Sequence, residues 1–219
     1  MITSIVHSDA EAIENILQLH AKGKKIDLDP TYSTGNFYKA LHRNIWKPRL
    51  KFDISPQVPG VLKADVQELP LPDSSVEVIV FDPPFLATTG PSLRKKDSSN
   101  KINKRFGVYP NEVALFDMYG KALLELARVC RPKGILIFKC QDKVSSGKQY
   151  FSHCIIYEKA KKSGWEPIDL FVLIAKNRLV ADWQKKNQKH ARKFHCFYWV
   201  FQRTSTEFFR ELKYRLTIQ

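Results

Sequence analysis

The sequence lacks the features that mark exported, membrane and metal-binding proteins. No apolar run approaches the length that spans a bilayer, and residues 1–7 do not have the charged region, apolar stretch and cleavage site of a signal peptide. The four cysteines, Cys130, Cys140, Cys154 and Cys196, are scattered without the paired spacing of a zinc site or a redox dithiol. We therefore expect reduced thiols, no metal, no membrane partner and a cytoplasmic location.

Glycine is scarce where a dinucleotide site would need it. The turn at 29–35, Asp-Pro-Thr-Tyr-Ser-Thr-Gly, has a single glycine and matches G-x-G-x-x-G poorly, which argues against a pyrophosphate cradle. A cofactor that carries adenosine but no phosphate fits such a turn better. S-adenosyl-L-methionine is a molecule of this kind.

Acidic residues are heavily outnumbered by basic ones. The chain of 219 residues has 22 Asp and Glu against 36 Lys and Arg, a net charge of +14 that favours a polyanionic partner over a merely soluble basic surface. The positive charge is concentrated in two stretches, 91–108 and 176–193, neither of which forms a convincing amphipathic helix for a membrane surface. We expect both to contact nucleic acid, through Arg94, Lys95, Lys96, Lys101, Lys104 and Arg105 in the first and Lys185, Lys186, Lys189 and Arg192 in the second.

Strand and helix patterns alternate along the chain. Short apolar runs predict seven strands, at 25–28, 49–53, 61–65, 76–82, 135–138, 166–174 and 196–202. Helical spacing predicts helices at 9–20, 35–44, 111–129 and 148–163. This alternation predicts an α/β, Rossmann-like fold with a mostly parallel sheet and helices on both faces. No linker separates two cores, so we expect one domain over residues 1–219.

The strand at 76–82 ends in the most informative motif of the chain, Asp82-Pro83-Pro84-Phe85. Open α/β sheets bind their ligands at the carboxyl ends of their strands. Proline fixes φ and has no N–H, so the motif is a stiff turn whose carbonyls are left free as acceptors. Asp82 and the Pro83 carbonyl can then accept from the exocyclic amino group of a nucleobase, beside the flat ring of Phe85. A proline-terminated strand with a solvent-facing carboxylate is the alternative interpretation.

Further acids lie where other predicted strands end. Either Asp27 or Asp29 ends the first strand, and Asp53 and Asp65 end the next two. At the shared edge of a parallel sheet, Asp53 can accept both hydroxyls of a ribose and Asp65 an amino group such as adenine N6. The turn of Asp29 would approach the rest of the cofactor through Thr31, Tyr32 and Gly35. Helix capping is the alternative explanation for each acid taken singly.

Three segments carry a resemblance to a known family. Residues 64–85 resemble the third and fourth motifs of class I methyltransferases, and in particular of the nucleic-acid amino-methyltransferases, which carry (D/N/S)PP(Y/F/W). Residues 129–134 are similar to that family's approach to strand five, and residues 189–201 look like the closing strand of small bacterial and phage DNA methylases. The resemblance implies a class I methyltransferase fold with an antiparallel last strand, S-adenosyl-L-methionine as cofactor, and a catalytic motif of Asp82, Pro83, Pro84 and Phe85.

The resemblance also implies a reaction and a substrate. It points to methyl transfer onto an exocyclic amino nitrogen of a nucleobase flipped from a duplex, with adenine N6 in DNA favoured because an initial Asp is commoner in adenine enzymes. Guanine N2 or adenine N6 of ribosomal or transfer RNA, cytosine N4 of DNA, and an inactive nucleic-acid-binding module remain as alternatives. No large target-recognition domain follows the last strand, so recognition is expected to fall to a basic insert at about 88–108, to fall to a partner, or to be weak.

Overall fold

The computed structural model describes residues 1–41, 47–85, 87, 109–175 and 188–205. The strands in these ranges are β1 (Ile5–Val6), β2 (Leu28–Asp29), β3 (Leu50–Asp53), β4 (Leu62–Lys63), β5 (Val76–Phe81), β6 (Cys130–Cys140), β7 (Lys143–Ser145), β8 (Lys148–Tyr150), β9 (Trp165–Ile174) and β10 (His195–Arg203). The α-helices are α1 (Asp9–His20), α2 (Glu112–Val129) and α3 (Ser152–Lys162), and a short 3₁₀ turn covers Asn36–Tyr38.

Eight strands form one central sheet, in the order β1-β9-β10-β6-β5-β2-β3-β4. Its pairs are parallel except those that β10 makes with β6 and β9. The mostly parallel sheet and its antiparallel last strand confirm the prediction, and β1 is an eighth strand that was not expected. From β2 the chain builds outward through β3 and β4 and then returns to β5 on the other side of β2. The carboxyl edge between β2 and β5 is therefore the switch point at which such sheets bind ligands.

Apolar side chains pack on both faces of this sheet. Along β5, Ile79 and Phe81 lie in a cluster with α2 and α3, whereas Val78 and Val80 lie in a second cluster with α1. Successive residues of a strand point to opposite faces, so a strand covered on both sides must be apolar at nearly every position. The apolar character of β5 at every position except Glu77 is thus explained by helices on both faces, as predicted.

Two predicted helices differ from the structure. Residues 148–150 form β8, paired with β7, and α3 begins only at Ser152. The cause is the turn between the two strands, because Ser146 (φ 48°) and Gly147 (φ 78°) both adopt the left-handed conformation of a two-residue hairpin turn. The helix predicted from Gly35 is represented by the short 3₁₀ turn, and residues 42–46 lie outside the described part of the chain.

The two longest helices begin where the sequence predicts. The Ser8 side chain accepts a hydrogen bond from the Glu11 backbone N–H and caps α1, and Asn111 caps α2 through the Ala114 N–H. Within the described ranges, no helix has both the length and the apolar character needed to cross a bilayer. The predicted basic insert at about 88–108 falls outside those ranges.

Two glycines in regular elements give opposite expectations for stability. A Cβ at Gly134, in β6, would lie 2.4 Å from Cys130 Sγ and 2.8 Å from the Glu77 carbonyl oxygen. We expect Gly134→Ala to lower the free energy of unfolding by about 1–3 kcal/mol through overpacking. Gly120, in α2, has the flexible Lys159 side chain as its nearest neighbour. Gly120→Ala should therefore raise the free energy of unfolding by about 0.5–1 kcal/mol. Urea denaturation of both variants measures these changes, and a neutral Gly134→Ala would contradict the packing described for β6.

Candidate active site

A cavity opens at the carboxyl edge of the sheet, beside the switch point between β2 and β5. Its volume is about 460 Å³ including the solvent at its mouth. Three carboxylates line it, those of Asp53, Asp65 and Asp82. The remaining lining residues are mostly apolar: Pro30, Thr31, Ile54, Val66, Phe81, Pro83, Pro84, Tyr109 and Met118.

The Thr31 side chain ties the ends of β2 and β5 together. Its hydroxyl donates to Asp29 Oδ1 (3.2 Å) and accepts from the backbone N–H of Asp82 (3.1 Å). The Thr31 backbone N–H also donates to Asp29 Oδ1, at 2.8 Å. Both strand ends at the switch point are therefore held in one hydrogen-bonded arrangement, and Thr31 lines the cavity.

Asp29 shapes the turn and does not line the cavity. Its side chain is 2% exposed, and Oδ2 accepts from the Tyr38 hydroxyl at 2.7 Å. Burial raises the pKa of Asp29 to about 7 against the opposing effect of its hydrogen bonds, and the nearby Asp82 charge adds to the rise. Asp27 lies immediately before β2 and accepts from the Glu77 N–H (2.8 Å), so Asp29 is the aspartate at the carboxyl end.

Tyr32 and Gly35 also form the turn and are absent from the cavity lining. The Tyr32 ring stacks on Tyr38 with 5.6 Å between ring centroids. Gly35 has a φ of 68°, and a Cβ there would lie 2.5 Å from the Tyr32 hydroxyl oxygen. Only glycine satisfies both requirements, which explains why the turn keeps this one glycine.

Asp53 and Asp65 are oriented by donors from their own surroundings. The Asp53 carboxylate is nearly buried and accepts from the backbone N–H groups of Ser33 (2.8 Å) and Ser55 (2.7 Å). Asp65 Oδ1 accepts from the backbone N–H of Gln67 (2.9 Å), and both carboxylate oxygens accept from the Gln67 side-chain amide at 3.1 Å. The two carboxylates predicted to hold a ribose and an amino group thus line the cavity in fixed orientations.

The Asp82-Pro83-Pro84-Phe85 motif is anchored by two of its carbonyls. The Tyr119 hydroxyl donates to the Pro84 carbonyl, and Lys143 Nζ donates to the Phe85 carbonyl at 2.6 Å. In the described residues, no donor lies within hydrogen-bonding distance of the Pro83 carbonyl or of the Asp82 carboxylate. Asp82, Pro83 and Pro84 line the cavity, whereas Phe85 is half-buried and is not part of the lining.

Lys139 lies beside Asp82; from the sequence it ends the fifth predicted strand near the crevice, with a substrate contact and a solvated strand end as its two interpretations. Lys139 Nζ is 3.9 Å from Asp82 Oδ2 and 2.9 Å from Asp9 Oδ1, and its side chain is 12% exposed. Burial raises the pKa of Asp82, the Lys139 charge opposes this, and Asp9 adds to it. Asp9 was missed because its position at a helix start is explained by capping alone.

Further residues of the cavity lining were also missed, among them Ile54, Val66, Tyr109 and Met118. Met118 lies on α2 at a helical spacing that core residues share, so no sequence signal separates it from the core.

Lys189 is exposed and Arg192 half-buried, in a segment where His190 Nε2 donates to the Gly147 carbonyl (3.0 Å). The other predicted nucleic-acid contacts lie outside the described residues: Arg94, Lys95, Lys96, Lys101, Lys104, Arg105, Lys185 and Lys186.

Comparison with known proteins identifies the fold and leaves the family open. No family model and no curated protein matches the sequence. An S-adenosylmethionine-dependent methyltransferase from Thermotoga maritima is 14% identical and superposes with a TM-score of 0.52, over 90% of this chain and 88% of that one. This similarity, with the strand order described above, establishes the class I methyltransferase fold and confirms the predicted fold class.

Two DNA methylases are also similar over part of the chain. A candidate DNA modification methylase from Thermus thermophilus, solved with S-adenosyl-L-methionine, is 19% identical with a TM-score of 0.43 over 64% of this chain and 51% of that one. The cytosine-N4-specific PvuII DNA methyltransferase is 15% identical with a TM-score of 0.46 over 65% of this chain and 48% of that one. The matched region therefore spans about half the length of each of these two proteins.

The raised pKa of Asp29 predicts a stability that falls with rising pH. Between about pH 4 and pH 7 the unfolded chain ionises this carboxyl while the folded chain keeps it neutral, so folding binds a proton and is disfavoured as pH rises. Asp29→Asn removes this dependence. We expect the free energy of unfolding of Asp29→Asn, relative to that of the wild type, to increase by about 3 kcal/mol from about pH 5 to about pH 8. Urea denaturation at the two pH values measures this difference. A difference that does not change with pH would contradict the assignment.

Proposed function

We propose that this protein is an S-adenosyl-L-methionine-dependent methyltransferase that methylates an exocyclic amino nitrogen of a nucleobase, with adenine N6 in DNA as the first candidate. The observation that carries the proposal is the state of two acceptors at the switch point. The Asp82 carboxylate and the Pro83 carbonyl both line the cavity, and no donor in the described residues occupies either one. An amine with two N–H groups fits such a pair.

The residues around the cavity fit the cofactor. Asp53, at the end of β3, would accept hydrogen bonds from the ribose hydroxyls, and Asp65 would accept from the adenine amino group. Ile54, Val66 and Met118 offer apolar surface to the adenine ring. The narrow turn with its one glycine suits a ligand without phosphate. When bound, S-adenosyl-L-methionine supplies an electrophilic methyl group on a sulfonium centre.

The motif would activate a weak nucleophile. The lone pair of an exocyclic amino nitrogen is delocalised into the ring, and hydrogen bonds from its two N–H groups to Asp82 and the Pro83 carbonyl favour a more pyramidal nitrogen. Positive charge would develop on that nitrogen as its bond to the methyl carbon forms and the carbon–sulfur bond breaks to leave a neutral thioether. The Asp82 carboxylate would stabilise this charge until the nitrogen loses one of its protons to solvent. The anchored carbonyls of Pro84 and Phe85 keep the two acceptors in place, which lowers the entropic cost of reaching the reactive geometry.

The substrate is proposed from charge and from the motif. The net charge of +14 and the exposed Lys189 favour a polyanion, and the initial Asp of the motif favours adenine over cytosine. In a duplex the base must leave the stack to reach the cavity, and Phe85 would then stack on it. We propose one methyltransferase domain over residues 1–219, with the basic stretch at about 88–108 contributing contacts to DNA.

A substrate panel tests the reaction and its alternatives together. The protein is incubated with S-adenosyl-L-methionine labelled in the methyl group and with duplex DNA, single-stranded DNA, ribosomal RNA or transfer RNA, and nucleosides are identified by mass spectrometry. N6-methyladenine in DNA is the expected product. N4-methylcytosine would move the target base, and label in RNA alone would replace DNA as the substrate. Absence of cofactor binding in calorimetry would leave a nucleic-acid-binding module.

Two matched aspartate variants separate catalysis from cofactor binding. We expect Asp82→Ala to bind S-adenosyl-L-methionine within a few-fold of wild type but to lower kcat by about 10²–10³ or more, because it removes the stabilising charge. Asp53→Ala should weaken cofactor binding about 10- to 100-fold, because hydrogen bonds to a charged acceptor are lost. Calorimetry and methyl-transfer assays measure the two quantities. Full turnover in Asp82→Ala would refute the proposed role.

A further inference from the structure

Polar side chains run in a row across three neighbouring strands at the carboxyl edge. Phe81 of β5 pairs with Phe138 of β6, so Asp82 and Lys139 are the next residues on these two strands. Lys139 in turn pairs with Tyr198 of β10, whose side chain packs with α1. Asp82 is therefore flanked by an ammonium group, which the amine-acceptor role of the motif does not by itself require.

The Lys139 ammonium is held away from Asp82 by other partners. Lys139 Nζ lies within hydrogen-bonding distance of Asp9 Oδ1 (2.9 Å), and the Tyr198 hydroxyl donates to the same carboxylate. Its Nζ also lies 5.0 Å from the ring centroid of Phe37 and 5.7 Å from that of Tyr198. These contacts fix a side chain that is 12% exposed and that would otherwise be free to rotate.

Lys139 lies at a distance from Asp82 at which it acts on the carboxylate through its charge and not through a hydrogen bond. At 3.9 Å from Oδ2, the ammonium lies beyond hydrogen-bonding range but within the range of strong electrostatic interaction. The Asp82 carboxylate therefore gains a positive neighbour while its oxygen lone pairs stay available. A direct hydrogen bond from Lys139 would instead have occupied an acceptor that the substrate amine needs.

We propose that Lys139 is a positioning residue, tethered by Asp9, that keeps the Asp82 carboxylate anionic without occupying the atoms that accept the substrate amine. The inference rests on the proposed function in one respect, the role of Asp82 as amine acceptor. The charge relationship between the three side chains exists in the free protein and does not depend on which substrate is methylated.

The groups around Asp82 explain why a cation is needed there. Acidic Asp9 and Asp29 approach from α1 and β2, and the hydroxyls of Tyr38, Tyr119 and Tyr198 approach from the 3₁₀ turn, α2 and β10. Burial and the Asp9 charge both favour the neutral carboxyl, and Lys139 opposes them. A neutral carboxyl would lose its charge and turn one acceptor oxygen into a donor.

The test measures the ionisation of Asp82 directly in the free protein. The protein is labelled with ¹³C in the aspartate side-chain carboxyl, and the Asp82 signal is identified by its absence from Asp82→Asn. Lys139→Met should raise the Asp82 pKa by about one unit or more, as expected for the loss of an opposite charge within about 4–6 Å. Asp9→Asn should lower it, because an acidic neighbour disappears while the cation remains.

Two further variants serve as controls. Lys139→Arg keeps the positive charge and should leave the Asp82 pKa near that of wild type. Tyr198→Phe removes a hydrogen bond to Asp9 without changing any charge, so it should shift the Asp82 pKa little. Opposite shifts in Lys139→Met and Asp9→Asn support the proposal. An unchanged pKa in Lys139→Met, or shifts of the same sign in both variants, overturns it, because a purely structural role produces no such charge-ordered pattern.

The kinetic consequence separates this inference from the proposed function. With an active substrate, the acidic limb of the rate profile should move to higher pH in Lys139→Met and to lower pH in Asp9→Asn, with turnover of Lys139→Met recovering as pH rises. If no nucleic acid is methylated, the proposed function fails while the carboxyl titrations still decide the role of Lys139. If methylation is found but the titrations do not shift, the positioning role fails alone.

Discussion

One hydroxyl group, that of Thr31, connects the two strands between which the sheet changes its direction of winding. It donates to Asp29 at the end of β2 and accepts from the backbone of Asp82 at the end of β5. A hydroxyl provides one donor and two acceptor sites, so both requirements are met by the same atom. The cavity, the turn of the proposed cofactor site and the Asp82-Pro83-Pro84-Phe85 motif all meet at this point, and their relative positions depend on it.

The carboxylates gathered at this edge are accommodated in different ways. Asp53 and Asp65 accept hydrogen bonds from nearby N–H groups, Asp29 is buried with a raised pKa, and Asp82 has an ammonium group nearby. Hydrogen bonds, burial and a nearby charge each affect the ionisation of a carboxyl differently, so these four acids do not behave alike. Asp29 is suited to structural support, Asp53 and Asp65 to binding neutral donors, and Asp82 to meeting a developing positive charge.

Features that depend on a local sequence pattern were predicted, whereas features that depend on contacts between residues far apart in the chain were missed. The apolar run of β5 and the acids at strand ends are local signals, and Asp53, Asp65 and Asp82 do line one cavity. The hairpin at 143–150 was mistaken for helix at its second strand, although Ser146-Gly147 fits a tight turn. The sequence left Lys139 open between a substrate contact and a solvated strand end, because its partner Asp9 lies 130 positions earlier in the chain and no periodicity connects the two.

Lys143 is a small feature with a wider structural consequence. Its amino group bonds the Phe85 carbonyl and pairs with Glu112, so one buried cation joins the residue where the motif ends to the residue where α2 begins. Pro84 of the motif and Met118 of α2 both line the cavity. The separation of these two walls therefore depends on a single amino group that is itself outside the lining.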